Sequence, residues 1–134
     1  MRETNGTLDA AGSIAPLAGT LAKGAKKSIL RVEALVNHLH GGTGTTGVLH
    51  VAVNGVLLEN GFGGGFTDGT VLSCTGQVCL TTGTFWLDLD AAETANPGMF
   101  VGQPLSIVLT YTTQAANAGS SYAASFSVQV SKKK

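Results

Sequence analysis

Residues 122–131 read Tyr-Ala-Ala-Ser-Phe-Ser-Val-Gln-Val-Ser, and their alternation decides the fold class. Tyr122, Ala124, Phe126, Val128 and Val130 occupy every second position, with Ala123, Ser125, Ser127, Gln129 and Ser131 between them. Successive side chains of a strand point to opposite faces, so a period of two marks a strand with one face on a core. A helix would instead repeat its apolar positions every three or four residues. The phasing predicts Phe126, Val128 and Val130 inward, and Ser125, Ser127 and Gln129 toward solvent or a neighbour. One residue of slip would invert every side chain.

The same pattern recurs on either side. Leu105, Ile107, Leu109 and Tyr111 alternate with Ser106, Val108 and Thr110, and Phe85, Leu87 and Leu89 alternate with Trp86, Asp88 and Asp90. The run Val48 to Val53 is followed by Asn54-Gly55 and then Val56 to Leu58. Asn-Gly between apolar runs is a strong hairpin signal, because both central residues of the favoured turn need positive φ. Thr70 to Cys74 and Cys79 to Thr82 are expected to pair across Thr75-Gly76-Gln77-Val78. Ala91 to Asn96 fits a helical turn stopped by Pro97-Gly98. Residues 28–40 fit either template. As a strand, Leu30, Val32, Ala34 and Val36 share a face opposite Arg31, Glu33 and Asn37; as a helix, Ile29, Val32, Val36 and Leu39 form a stripe. Strand is the expectation, because the later segments are strands.

About seven to eight short strands with turn signals between them predict an all-β chain, either a β-sandwich of jelly-roll type or a small barrel. Residues 1–27 show no sustained period, hold Pro16 and carry apolar Ile14, Leu17 and Leu21. They are expected to form an extended N-terminal arm that docks on another chain. Residues 28–131 then form the body and 132–134 a basic tail.

Charged residues make up only 12% of the 134-residue chain, against roughly 25% in ordinary soluble domains. So little charge is expected where much of the surface faces other protein, although a Ser/Thr-rich sheet surface gives the same figure. The formal net charge of zero conceals a split. Seven of the eight positive residues lie in 1–27 and 132–134, and six of the eight negative ones lie between. Basic ends on an acidic body suit subunit association, the lysines of one copy meeting Asp88 and Asp90 of the next. No run approaches the roughly 18 apolar residues of a membrane-spanning helix, and no leader-like stretch opens the chain, so neither secretion nor membrane insertion is expected.

Few residues carry the types and spacing that chemistry needs. His38, His40 and His50 would converge if residues 28–40 and 47–53 formed a hairpin, and three imidazoles could hold a divalent ion. The plainer reading is three polar residues near a hairpin end. Asp88 and Asp90, with Glu93 close by, would share a strand face. Paired carboxylates serve glycosidases and calcium sites, but on a strand opposite Leu87 and Leu89 they normally mark the solvent side. Cys74 and Cys79 could join across their turn as a disulfide or remain buried thiols. The run Gly61-Phe62-Gly63-Gly64-Gly65-Phe66 lacks the Gly-Lys-Ser/Thr ending of a phosphate loop. No catalytic, cofactor-binding or metal residue is therefore assigned, an enzyme is not expected, and no basic-aromatic interleaving points to specific nucleic-acid binding.

A charge-poor β body, a basic semi-apolar arm and a lysine tail together resemble, in overall plan, the small all-β decoration or cement proteins of tailed-phage heads. The resemblance rests on no diagnostic motif and assigns no residue. It implies a virion protein that clamps capsid subunits from outside and associates with itself, often as a trimer. The alternative from another class is a carbohydrate- or surface-binding jelly-roll module, in which Trp86 stacks on a ligand near Asp88 and Asp90.

Overall fold

The computed structural model describes residues 2–39, 45–60, 70–74, 78–113 and 115–133. Ten strands appear among them: β1 (Arg2–Thr7), β2 (Leu17–Lys23), β3 (Ser28–Leu39), β4 (Thr45–Val53), β5 (Val56–Leu57), β6 (Glu59–Asn60), β7 (Thr70–Cys74), β8 (Val78–Asp88), β9 (Pro104–Thr112) and β10 (Ser121–Lys132). One short helix, α1 (Leu89–Ala95), follows β8. The strands form two antiparallel sheets, here called front and back. The front sheet runs β1-β10-β3-β8-β6; the back sheet runs β2-β9-β4-β5, with β7 also paired to β4. Along the chain the longer strands pass alternately from one sheet to the other. Each sheet is thereby assembled from distant segments, as in a jelly roll, and the sandwich expectation holds.

The core lies between the sheets. Leu30, Val32, Ala34 and Val36 of β3, Phe85 and Leu87 of β8, and Tyr122, Ala124 and Phe126 of β10 face inward from the front sheet. Leu49, Val51 and Val53 of β4 and Leu105, Ile107, Leu109 and Tyr111 of β9 meet them from the back sheet. Residues 28–39 are a strand, phased as the alternation requires. The Asn54-Gly55 turn also forms, with φ of 50° and 84°, bringing Val53 opposite Val56.

Four expectations are corrected. Residues 2–23 are not an arm: β1 pairs with β10 and β2 with β9, while Leu8, Ile14 and Leu17 enter the core. Leu17 and Leu21 lie opposite Leu109 and Leu105, and a spacing of four puts two side chains on one face of a strand as well as of a helix. β7 pairs with β4, not with β8, so Cys74 and Cys79 belong to strands of different sheets. β3 and β4 do not form a hairpin; β3 lies between β10 and β8. Finally, Val130 is 53% exposed and Val128 only partly covered, because open surface pockets separate them from Leu21, Leu105 and Ile107 of the back sheet. The phasing of β10 stands, with Ser125 and Ser127 half-buried and Gln129 exposed on its other face.

A buried polar contact crosses the core. His38 and Tyr111 share a hydrogen bond of 3.0 Å between Nδ1 and the phenol oxygen, with ring centroids 5.4 Å apart. Burial pushes the Tyr111 phenol above its ordinary pKa. Gly47 leaves the room for it: a Cβ at that position would stand 2.2 Å from the Tyr111 hydroxyl. Gly47→Ala should therefore cost about 1–3 kcal/mol in denaturant unfolding, as overpacking in a filled core does. Unchanged stability would place Tyr111 elsewhere.

Candidate functional site

The residues singled out for chemistry do not assemble. His38 points into the core, whereas His50 lies half-buried on the outer surface of the back sheet, between buried Leu49 and Val51. The two strands join different sheets, so the imidazoles do not converge, and His40 lies outside the described residues. The Gly61–Phe66 run and the Thr75–Gln77 turn lie outside them too. Among the described residues no group of three His, Cys, Asp or Glu is placed to hold a metal.

The acidic group builds structure. β8 ends at Asp88, whose carboxylate caps α1 by accepting from the amides of Asp90 at 3.0 Å and Ala91 at 3.3 Å. The expectation of two aspartates on one strand face is thus corrected: Asp90 sits in the first turn of α1 and accepts from the Lys27 amide at 2.9 Å. Lys133 reaches both acids within its own chain, at 2.8 Å from Asp88 and 3.7 Å from Asp90. This contact, followed by the capping amides, holds the Asp88 carboxyl below its usual range despite partial burial, and it raises Lys133. Glu93 closes the loop after α1 by accepting from the amides of Gly98, Phe100 at 3.0 Å and Val101 at 2.9 Å. Those three donors, Gly98 foremost, hold its carboxyl below the ordinary glutamate range.

The outward surface of the front sheet gathers polar and aromatic groups instead. Gln129 of β10 stands opposite Arg31 of β3, Arg31 opposite Trp86 of β8, and Trp86 opposite Glu59 of β6. Three strands thus contribute one side chain each to a single row, with β6 paired along its edge. The Arg31 guanidinium lies 5.4 Å from the centre of the Trp86 ring, donates to the Gln129 amide oxygen at 3.2 Å and forms an ion pair with Glu33. The next row is Ser127, Glu33 and Thr84. Trp86 is half-buried, so one part of its ring is fixed by the sheet and another faces solvent. The contacts on Arg31 fix the guanidinium plane. A cation over an indole contributes about 0.5–1 kcal/mol at an exposed position, and the exposed Arg31–Glu33 pair about as little. Their effect is positional: an aromatic surface flanked by paired donors and acceptors that are already oriented.

Such a surface suits a ring with one apolar face and hydroxyls around its edge. The apolar face can stack on indole, and adjacent hydroxyls can meet carboxylate, guanidinium and amide groups bidentately. Sequence analysis found Trp86 but missed Arg31, Glu33 and Gln129, which read as the ordinary solvent side of two strands. Only the pairing of β10, β3 and β8 brings them together.

No family model and no curated protein matches the chain. Solved structures do resemble it. The EclA C-terminal domain, described as a sugar-binding protein, is 11% identical with a TM-score of 0.49, covering 96% of this chain and 77% of that one. TmCBM61, solved with β-1,4-galactotriose, is 16% identical with a TM-score of 0.45, covering 96% and 69%. A chain of the infectious bursal disease virus Gt strain is 16% identical with a TM-score of 0.43, covering 96% and 30%. Both sugar-binding sandwiches and a viral chain are therefore among the neighbours, and likeness at this level carries no argument about which role this chain has.

The ionised form of Glu93 is the one the fold binds, so its stabilising effect is complete above the ordinary glutamate value of about 4.3 and fades as pH falls through its lowered value. Glu93→Gln should lower the melting temperature at neutral pH and lose part of the wild type's further drop below pH of about 4. Thermal unfolding followed by circular dichroism across that range checks both; parallel curves for the two proteins would remove Glu93 from the account of acid sensitivity.

Proposed function

We propose that the chain is a non-catalytic carbohydrate-binding module that recognises its ligand on the outward surface of the front sheet. The observation that carries the reading is the row Gln129, Arg31 and Trp86, in which a half-exposed indole lies beside a guanidinium already fixed by the Glu33 carboxylate and the Gln129 amide. The open sheet surface favours an extended or chain-end saccharide over a small molecule that needs enclosure. Asp88 and Asp90 have no part in this reading, because Lys133 and the start of α1 occupy them.

The second reading is a structural component of a virion that clamps a protein lattice. The low charge content supports it, together with exposed Leu80 and Leu35 farther along the same front surface. Two of its original supports now serve the chain itself, since residues 2–23 complete both sheets and Lys133 pairs with its own acids. The carbohydrate reading is therefore preferred.

Glycan-array screening followed by calorimetry on the best ligand tests the preference. Trp86→Ala should weaken binding about 10–100-fold, the loss of roughly 1.5–3 kcal/mol of buried aromatic surface. Arg31→Ala should weaken it less directly, by releasing Glu33 and Gln129 from their orientation. Absence of binding across the array, with retention on purified capsids instead, would transfer the function to the second reading.

A further inference from the structure

We propose that the free edge of β10 at Val128–Lys132 receives an extended peptide as an added strand, with the peptide's C-terminal carboxylate held at Arg2. β10 runs on to Lys132, but its neighbour β1 begins at Arg2, opposite Phe126. Beyond that pair no described strand lies on this side of β10. The alternation of an antiparallel ladder decides which backbone groups are left there. The Lys133 amide donates to the Lys27 carbonyl, so odd-numbered residues of β10 turn their N–H and C=O toward β3. Even-numbered ones turn theirs the other way, as the Ser120 carbonyl does in accepting from the Leu8 amide on the β1 side. Val128 and Val130 therefore present N–H and C=O groups in line with β1 and past its end, a template for strand pairing.

The same two residues line an open cleft between the sheets. One part, about 580 Å³, lies among Leu21, Ile107, Phe126 and Val128; the other, about 280 Å³, lies among Leu89, Leu105 and Val130. Directly opposite residues of paired strands point to the same side, so apolar residues opposite Val128 and Val130 would enter this cleft. The occupant is thus an extended backbone with apolar residues at alternate positions. Charge sets its direction. Arg2 and Lys23 are the charged residues lining the two parts, and no acid lines either. Arg2 donates through Nε to the Ala18 carbonyl at 2.9 Å, which holds its guanidinium at the β1 end of the cleft, and among the described residues no acid pairs with it. A strand antiparallel to β10 runs as β1 does and must stop where β1 starts. Its C-terminus therefore arrives at Arg2, where a carboxylate meets the guanidinium. A second copy's β10 in the same place would instead drive Lys132 and Lys133 toward Arg2, like charge on like.

Amide hydrogen exchange followed by NMR tests the edge, with the peptide acetyl-Thr-Val-Thr-Val-Thr-Val, carrying a free carboxylate, as the probe. In dilute protein the amides of Gln129 and Ser131 should exchange slowly and those of Val128 and Val130 rapidly, and saturating peptide should slow the latter pair. Amidation of the peptide's C-terminus, or Arg2→Ala, should weaken binding about tenfold, the loss of one charge-assisted contact. N-methylation of the peptide's middle valine should abolish binding. Val130→Glu, at a position already exposed, should stay folded and bind no peptide. Trp86→Ala should bind the peptide as the wild type does, which separates this edge from the saccharide surface. Slow exchange of Val128 and Val130 in the free protein overturns the proposal. So does protection that rises with protein concentration alone, which gives the edge to a second copy. An edge untouched by millimolar peptide overturns it as well, since main-chain pairing needs no particular sequence.

Discussion

The insertion of the last strand between the first and the third is the constraint on which the rest of the molecule depends. β10 aligns with β3 over eleven residue pairs, from Tyr122 opposite His38 to Lys132 opposite Ser28. On its other side it aligns with β1 over six, from Arg2 opposite Phe126 to Thr7 opposite Ser121. Without β10, β1 has no sheet to join and β3 loses one of its two neighbours. The inner face of β10 supplies Tyr122, Ala124 and Phe126 to the core. Its outer face supplies Gln129 to the row through Arg31 and Trp86. Because side chains alternate, core and recognition surface are fixed by a single register, and neither can shift without the other.

The ends of the chain are tied to this arrangement by local polar contacts. The Lys133 amide donates to the Lys27 carbonyl at 2.7 Å, and its ammonium reaches Asp88 and Asp90. Lys27 takes a positive φ of 59° at the turn leading into β3, and its own amide donates to Asp90. The end of β10, the start of β3 and the start of α1 therefore meet at one corner. Each of these exposed contacts is weak, but all of them favour the same register. The division of labour between faces follows from it, with polar and aromatic groups in front and small uncharged groups behind.

Much of the fold was legible in the sequence, because period-two alternation reports the burial of one face directly. The phasing of β9 and β10, the Asn54-Gly55 hairpin and the sandwich class came from local pattern, whereas residues 28–40 fitted strand and helix alike and only the strands around them favoured a strand. What escaped was pairing between distant strands. Adjacency in sequence favours β8 as the partner of β7, yet β7 lies on β4. β1 showed no alternation because its residues, as an edge strand, are nearly all exposed. The residues of the candidate site were the least legible, since Arg31, Glu33 and Gln129 take on meaning only through the registers that align them with Trp86. Asp88 looked like half of a carboxylate pair until the strand ended there and its side chain became a helix cap.

A jelly roll can carry recognition on either sheet, on its edges or on its loops, so placing it on the front surface is the central claim. Mapping backbone and indole chemical-shift changes by NMR, on addition of the tightest-binding saccharide, tests that placement residue by residue. The changes should concentrate at Trp86, Arg31, Glu33, Thr84, Ser127 and Gln129, with the outer residues of β9 and β4 unaffected. Changes centred on residues 96–103, or on Val108 and His50, with Trp86 unmoved, would contradict it.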